Sequence, residues 1–244
     1  MDFNFNIIIY IVVGVLVAIL IYCLAVASFG YENFRENLNE LNQEANQYGF
    51  TTRDFVDQLN NTKFEGKVEL KLCNEGEDHF SPNYIALSHK TLSSNSLASL
   101  AIVAHEMGHA EQYKNGVKLE KHWKRKRTGR ALGKLFVPLV IIGIVVSLIS
   151  IFEIIDSMFV YAGLGVIGLA VMLFLFAIYN KFMEIKIEKE ASDFAIKFLK
   201  EYLNDKELKK CKTFLDSARL TYWADLYRTM FAWTMLTGKT SMFK

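Results

Sequence analysis

His105-Glu106-Met107-Gly108-His109 is the segment of this chain with the clearest capacity for chemistry. On a helix, His105 and His109 stand one turn apart and project from one face. Two imidazoles at that spacing can bind one tetrahedral zinc ion. Glu106 follows the first of them and is placed to take a proton from a metal-activated water and hand it to a leaving amine. The plainer reading is a pair of core histidines beside a solvated glutamate, which motif matches of this kind do include. With only five histidines in the chain, that coincidence explains the pattern less well.

A catalytic zinc takes three protein ligands. The segment Lys181 to Leu203 reads as a helix, with Glu188 at the centre of a face made by Ile185, Ala191, Ser192, Ala195, Leu199 and Tyr202. A carboxylate on an apolar face is costly to bury unless a cation meets it, and zinc would serve. Glu190 points to the opposite side, and Glu184, one turn earlier, is the main rival. The alternative is that Glu188 pairs with Lys181 or Lys189 on a solvated face. His79, His89 and His122 receive no role, although His79 can reach a cleft and His122 sits in a basic stretch. Arg219 and Tyr222 could stabilise an oxyanion, but packing is the simpler role for both.

The elements that must position these groups follow from periodicity and caps. Asn95 to Lys114 reads as a helix capped by Ser94 or Asn95 and ended at Asn115-Gly116. Leu100, Val103 and Met107 cover the face opposite the histidines, while Ala101 and Gly108 flank them and leave room for a metal. Upstream, Tyr31 to Tyr48 reads as an amphipathic helix with Phe34, Leu38, Leu41, Ala45 and Tyr48 on one face and Gly49 as its stop. Thr51 to Asn60 reads as a short helix. Lys67 to Leu72 and Tyr84 to Ser88 read as strands joined by a polar loop, Asn74 to Pro82. Leu208 to Phe243 reads as an aromatic helix, and Arg219, Asp225 and Arg228 argue against its being a membrane span.

The chain has 244 residues, of which 52% are hydrophobic, and three apolar runs concentrate them: Ile7 to Phe29, Leu135 to Phe152 and Phe159 to Tyr179. Helices of that length suffice to cross a hydrocarbon core about 30 Å thick. Ala25-Val26-Ala27 resembles a signal-peptide cleavage site. However, Met1 to Asn6 carries Asp2 and no basic residue, and the run exceeds the roughly 7–15 residues of a signal core. Lys118, Lys121, Lys124, Arg125, Lys126, Arg127, Arg130 and Lys134 precede the second run, and Lys181, Lys186 and Lys189 follow the third. The turn between the two runs has Glu153 and Asp156 and no basic residue. The positive-inside rule therefore predicts a cytoplasmic 118–134 and 181–244 and an external N-terminus. Both halves of the site would then lie on one side of the membrane. Lys124 to Arg127 reads as a topology signal or anionic-lipid contact rather than a nucleic-acid patch. Nearly uncharged spans argue against a transport pathway. Cys23, Cys73 and Cys211 have neither metal spacing nor a disulfide framework, which fits a reducing compartment.

Beyond these features, the chain resembles the YugP-type membrane zinc metallopeptidases of bacteria nearly end to end. The resemblance covers the N-terminal span, Asp78-His79-Phe80-Ser81-Pro82, Tyr84-Ile85-Ala86-Leu87-Ser88, Ala104-His105-Glu106-Met107-Gly108-His109-Ala110, the apolar hairpin, Glu188-Lys189-Glu190-Ala191-Ser192 and Leu220-Thr221-Tyr222. In layout it is similar to HtpX and CAAX-type membrane endopeptidases. The resemblance implies His105, His109 and Glu188 as zinc ligands, Glu106 as general base, and Tyr84 to Ser88 as an edge strand along which a peptide adds. One departure is Ser192, where the wider group has Asp four residues after the ligand glutamate; Asp193 is turned away.

The expected architecture is mainly α with a small β-hairpin or sheet, a zincin-like catalytic domain on a scaffold of three transmembrane helices. Residues 1–29 form the N-terminal span, 30–134 a cytoplasmic domain with the histidine helix, 135–179 the hairpin, and 180–244 a cytoplasmic segment supplying the third ligand. The expected function is a plasma-membrane metalloendopeptidase with one Zn2+ per chain. It would hydrolyse peptide bonds through a zinc-activated water, possess a cytoplasmic active site, and act on peptide or membrane-protein substrates, as in quality control. Membrane lipids are expected partners and nucleic acid is not. The alternative is a zinc-binding membrane scaffold without turnover.

Overall fold

The structure, a computed structural model, describes residues 3–152 and 156–230. Their elements are α1 (Phe3–Gln43), α2 (Thr52–Lys63), β1 (Glu69–Cys73), β2 (His79–Ser81), β3 (Tyr84–Ser88), α3 (His89–Ser93), α4 (Leu97–Lys114), α5 (Leu119–Ile151), α6 (Phe159–Leu199) and α7 (Asp205–Met230). The fold is mainly helical with a small three-stranded sheet.

Local chemistry sets most boundaries. Thr51 caps α2 through a capping box with Asp54. Ser96, one residue beyond the expected cap, accepts from the Ser99 N–H at the start of α4. Gly116, with φ 82°, follows its C-cap Asn115. The amphipathic segment after Phe29 is not a separate helix. It continues α1, which stops at Gln43 rather than Tyr48. There the chain turns aside: the Asn46 amide donates to the Phe50 and Asn95 carbonyls, and Ala45 bridges Ser96. Phe34 and Leu41 are buried as expected, whereas Ala45 and Tyr48 are exposed.

The sheet order is β1-β3-β2, with β1 parallel and β2 antiparallel to β3. Tyr84 to Ser88 is therefore the central strand, which corrects the expectation of an edge. The segment taken as a loop contains β2, and β2 covers the other side of β3. Ile85, Ala86, Leu87 and Ser88 are all buried, the continuous pattern of an inner strand. Asp78 pins the strands to α3: its carboxylate accepts from the Ser88 N–H at 2.6 Å and the Thr91 hydroxyl at 2.7 Å. The sheet, α2, α4 and parts of α6 and α7 enclose one core that includes Phe55, Leu59, Ile85, Leu100, Met107, Leu199 and Phe214.

α5 and α6 form a long antiparallel pair in one register. Lys126 meets Glu184, Gly129 lies against Asn180, Phe136 stacks on Phe174 at 4.6 Å between ring centroids, Gly143 abuts Ile167, and Ser147 abuts Gly163. Gly143 and Gly163 are where the two backbones approach; a Cβ on Gly143 would lie 2.7 Å from the Gly163 carbonyl oxygen. Each helix is long and apolar enough to cross a membrane, and its most apolar stretch is mostly exposed. The third apolar run and the helix after it are one continuous helix, α6, so Glu188 stands on an extension of that run. Of the turn, Glu153, Ile154 and Ile155 lie outside the described residues, as does the expected continuation of α7 to Phe243.

This register predicts that a Phe136→Cys/Phe174→Cys variant forms an intramolecular disulfide under mild oxidation. A Phe136→Cys/Leu175→Cys control should not, because Leu175 is exposed and faces away. Gel mobility before and after reduction reads the result.

Candidate metal centre

α4 and α6 bring the sequence-selected groups together. Both helices are narrow where they cross: a Cβ on Gly108 would collide with the Ala191 carbonyl and lie 2.9 Å from its carbon. Gly108 thus provides helix contact, rather than the space for a metal expected of it. Across this contact, His105 Nε2 lies 3.1 Å and His109 Nε2 3.4 Å from Glu188 Oε2. One ligand atom from each of the three residues lies within 4.8 Å of the others. The two imidazole rings are edge-to-face, 4.8 Å between centroids.

Hydrogen bonds on the far side of each ring orient the nitrogens. Ser192 Oγ–H donates to the Glu188 carbonyl at 3.0 Å, so the same oxygen accepts from His105 Nδ1–H at 3.1 Å. The Gln112 amide nitrogen donates to the Ile187 carbonyl and to Glu190, both at 2.8 Å. That leaves Gln112 Oε1 to accept from His109 Nδ1–H at 2.9 Å. With Nδ1 the donor in each ring, both Nε2 atoms offer lone pairs toward Glu188 once unprotonated. Ser192 therefore holds His105 from the position where the resemblance leads one to expect aspartate, and Glu190 anchors Gln112.

Charge makes the same point. Burial alone would raise the Glu188 pKa; instead His109 and hydrogen bonds from His105, His109 and His122 hold it well below the usual carboxylate value. Burial alone would lower the His109 pKa, but Glu188, with help from Glu106 and Gln112, raises it to about 9. A cation is drawn to this point, and the two-nitrogen, one-oxygen donor set fits a divalent zinc ion.

Glu106 stands beside the cluster, and its carboxylate accepts from the Phe80 N–H of β2 at 2.7 Å. Glu184, the rival third ligand, is buried between Lys181 at 2.6 Å and Lys126 at 2.9 Å. Lys181 also meets Asp225 at 3.1 Å, and Arg130 meets Asp225 at 3.3 Å. His79 turns to the Glu77 carbonyl and the Tyr84 ring, and His89 is exposed at the start of α3. Arg219 pairs with Asp216 one turn away. Tyr222 is different: burial, then the neighbouring Glu188 to which it hydrogen-bonds, raise its phenol well above the usual value. Two residues escaped the sequence reading. Gln112 carried a usable signal, three residues after His109 on one helix face. His122 carried none; it is buried, with Nε2 3.5 Å from Glu188 Oε1.

The sequence model of the family described as "Putative neutral zinc metallopeptidase" matches residues 11–237, and the chain belongs to that family. No curated protein and no solved structure matches the chain.

Two outcomes follow from the geometry. Gly108→Ala should destabilise the protein by about 1–3 kcal/mol, as overpacking does, and reduce zinc retained after purification, read by thermal unfolding and metal analysis. Below about pH 9 the metal-free His109 ring carries a proton that zinc must displace. Apparent zinc affinity should therefore rise with pH up to that value. Calorimetry at neutral pH in buffers of different ionisation enthalpy should detect roughly one proton released per zinc.

Proposed function

We propose, from membership of this zinc metallopeptidase family, that the chain is a membrane-embedded metalloendopeptidase. His105, His109 and Glu188 hold one zinc ion and Glu106 is the general base. The observation that carries this reading is the convergence of both Nε2 atoms on Glu188 Oε2, with Glu106 on the same helix. The commitment of Glu184 to two lysines supports Glu188 as third ligand.

Zinc held there would polarise a scissile carbonyl and lower the pKa of water toward ~7. Glu106 takes the proton of the attacking water and delivers it to the departing amine. β2 forms an outer edge of the sheet, and its Phe80 N–H points toward Glu106 rather than into the ladder. An extended peptide laid along β2 would take over that amide and free the Glu106 carboxylate. The half-buried Tyr222 phenol stays protonated and can donate to Glu188.

The exposed apolar surfaces of α5 and α6, including Ile142, Leu148, Met172 and Leu175, support embedding in a bilayer. The apolar run in α1 supplies a third span in this reading. Lysines and arginines flanking the hairpin orient a zincin-like site toward the cytoplasm. Substrates are then peptide segments held in or near the membrane.

The test is metal content and cleavage of casein and of model membrane proteins by detergent-purified wild type, Glu106→Gln, Glu188→Ala and Glu184→Gln. Wild type should bind about one zinc and cleave. Glu106→Gln should keep the metal and lose roughly 10²–10⁴-fold in rate, the usual contribution of a general base. Glu188→Ala should lose the metal and Glu184→Gln keep it. Zinc binding without cleavage of any substrate would favour a zinc-binding scaffold, and absence of zinc binding would overturn the reading.

A further inference from the structure

Oε2 of Glu188 faces His105 and His109. The other oxygen, Oε1, faces a third imidazole, 3.5 Å from His122 Nε2. His122 comes from α5, which contributes no residue to the ligand cluster. Its ring is only 4% exposed. A polar ring buried that deeply requires a polar partner, and Glu188 Oε1 supplies it.

A carboxylate on a helix can rotate about its terminal bond, and that torsion is broad. Contacts to Oε2 alone leave the second oxygen free to turn. A donor on Oε1 fixes the carboxylate plane and leaves Oε2 directed at the two Nε2 atoms. The contact also continues the α5–α6 register by one turn, since Lys126 meets Glu184 four residues along each helix in the opposite direction. The helix pair that supplies the apolar hairpin thus also grips the carboxylate.

We propose that His122 is a positioning residue for the metal site. It donates from Nε2 to Glu188 Oε1 and orients Oε2 toward zinc without binding the ion. This rests on the reading of Glu188 as the third ligand.

The experiment is zinc affinity by chelator competition on the full chain in detergent, with Co2+ absorption spectra as a second readout. The proteins are wild type, Glu188→Ala, and three variants of His122. His122→Phe keeps a ring without a donor, and His122→Leu is the smaller donorless variant should the phenyl ring not fit. His122→Gln restores an N–H donor. A donorless variant should still bind one zinc but about 10–100-fold more weakly, the usual effect of losing an outer hydrogen-bond partner. His122→Gln should recover most of that loss, and the Co2+ band positions should stay those of wild type. Unchanged affinity in a donorless variant would overturn the proposal and leave His122 as core filling. Altered Co2+ bands, with affinity as low as in Glu188→Ala, would make His122 a ligand and also overturn it. Wild-type affinity in Glu188→Ala would instead remove the underlying assignment of the third ligand, a separate failure.

Discussion

The crossing of α4 and α6 is the contact on which the site depends. Gly108 and Ala191 meet with almost no side chain between them. A larger residue at Gly108 would push the helices apart and carry Glu188 away from both imidazoles. Because the interior is close-packed, a displacement there is not absorbed locally. The requirement for glycine comes from this backbone approach, since the residue lies mid-helix, where glycine otherwise weakens the structure.

A second constraint is the cost of burying carboxylates. Glu184 and Glu188 are one turn apart on α6, 3% and 6% exposed. Taking such charges from water costs several kcal/mol each unless cations and donors meet them. The chain solves the two cases differently. Glu184 sits between Lys126 and Lys181; Lys181 also pairs with Asp225, which in turn meets Arg130, so an ion-pair network extends across α5, α6 and α7. Among the described residues, Glu188 has no lysine this close, and it lies among three imidazoles and a phenol. The first arrangement is a self-sufficient structural network of ion pairs. The second gathers a carboxylate and imidazole nitrogens at one point, a donor set that suits a divalent cation.

Much of this was readable in advance. The histidine helix, its C-terminal stop, its buried Leu100–Val103–Met107 face and the candidate set His105, His109 and Glu188 all follow from local spacing. The sheet was read less well. β2 is three residues long and lies in a polar stretch containing Pro82, so it has no hydrophobic period to read. β2 covers the side of β3 that the resemblance implied to be an open edge. The continuity of α6 was missed because the charged residues from Lys181 onward change the helix's environment without breaking its backbone. In the sequence, His122 is indistinguishable from the basic residues around it.

From the sequence alone, the candidate chemical groups were determined: two imidazoles one helical turn apart, a glutamate beside the first, and apolar runs long enough to span a bilayer. These are properties of residue type and of helical period, and they need no knowledge of distant contacts. Only the tertiary structure decided which buried glutamate faces the histidines, which hydroxyl and amide hold their rings, and which strand lies beside Glu106. Those choices depend on how α4, α5 and α6 meet. That meeting is set by backbone approach at Gly108 and by the register of the α5–α6 pair, between residues far apart in the chain.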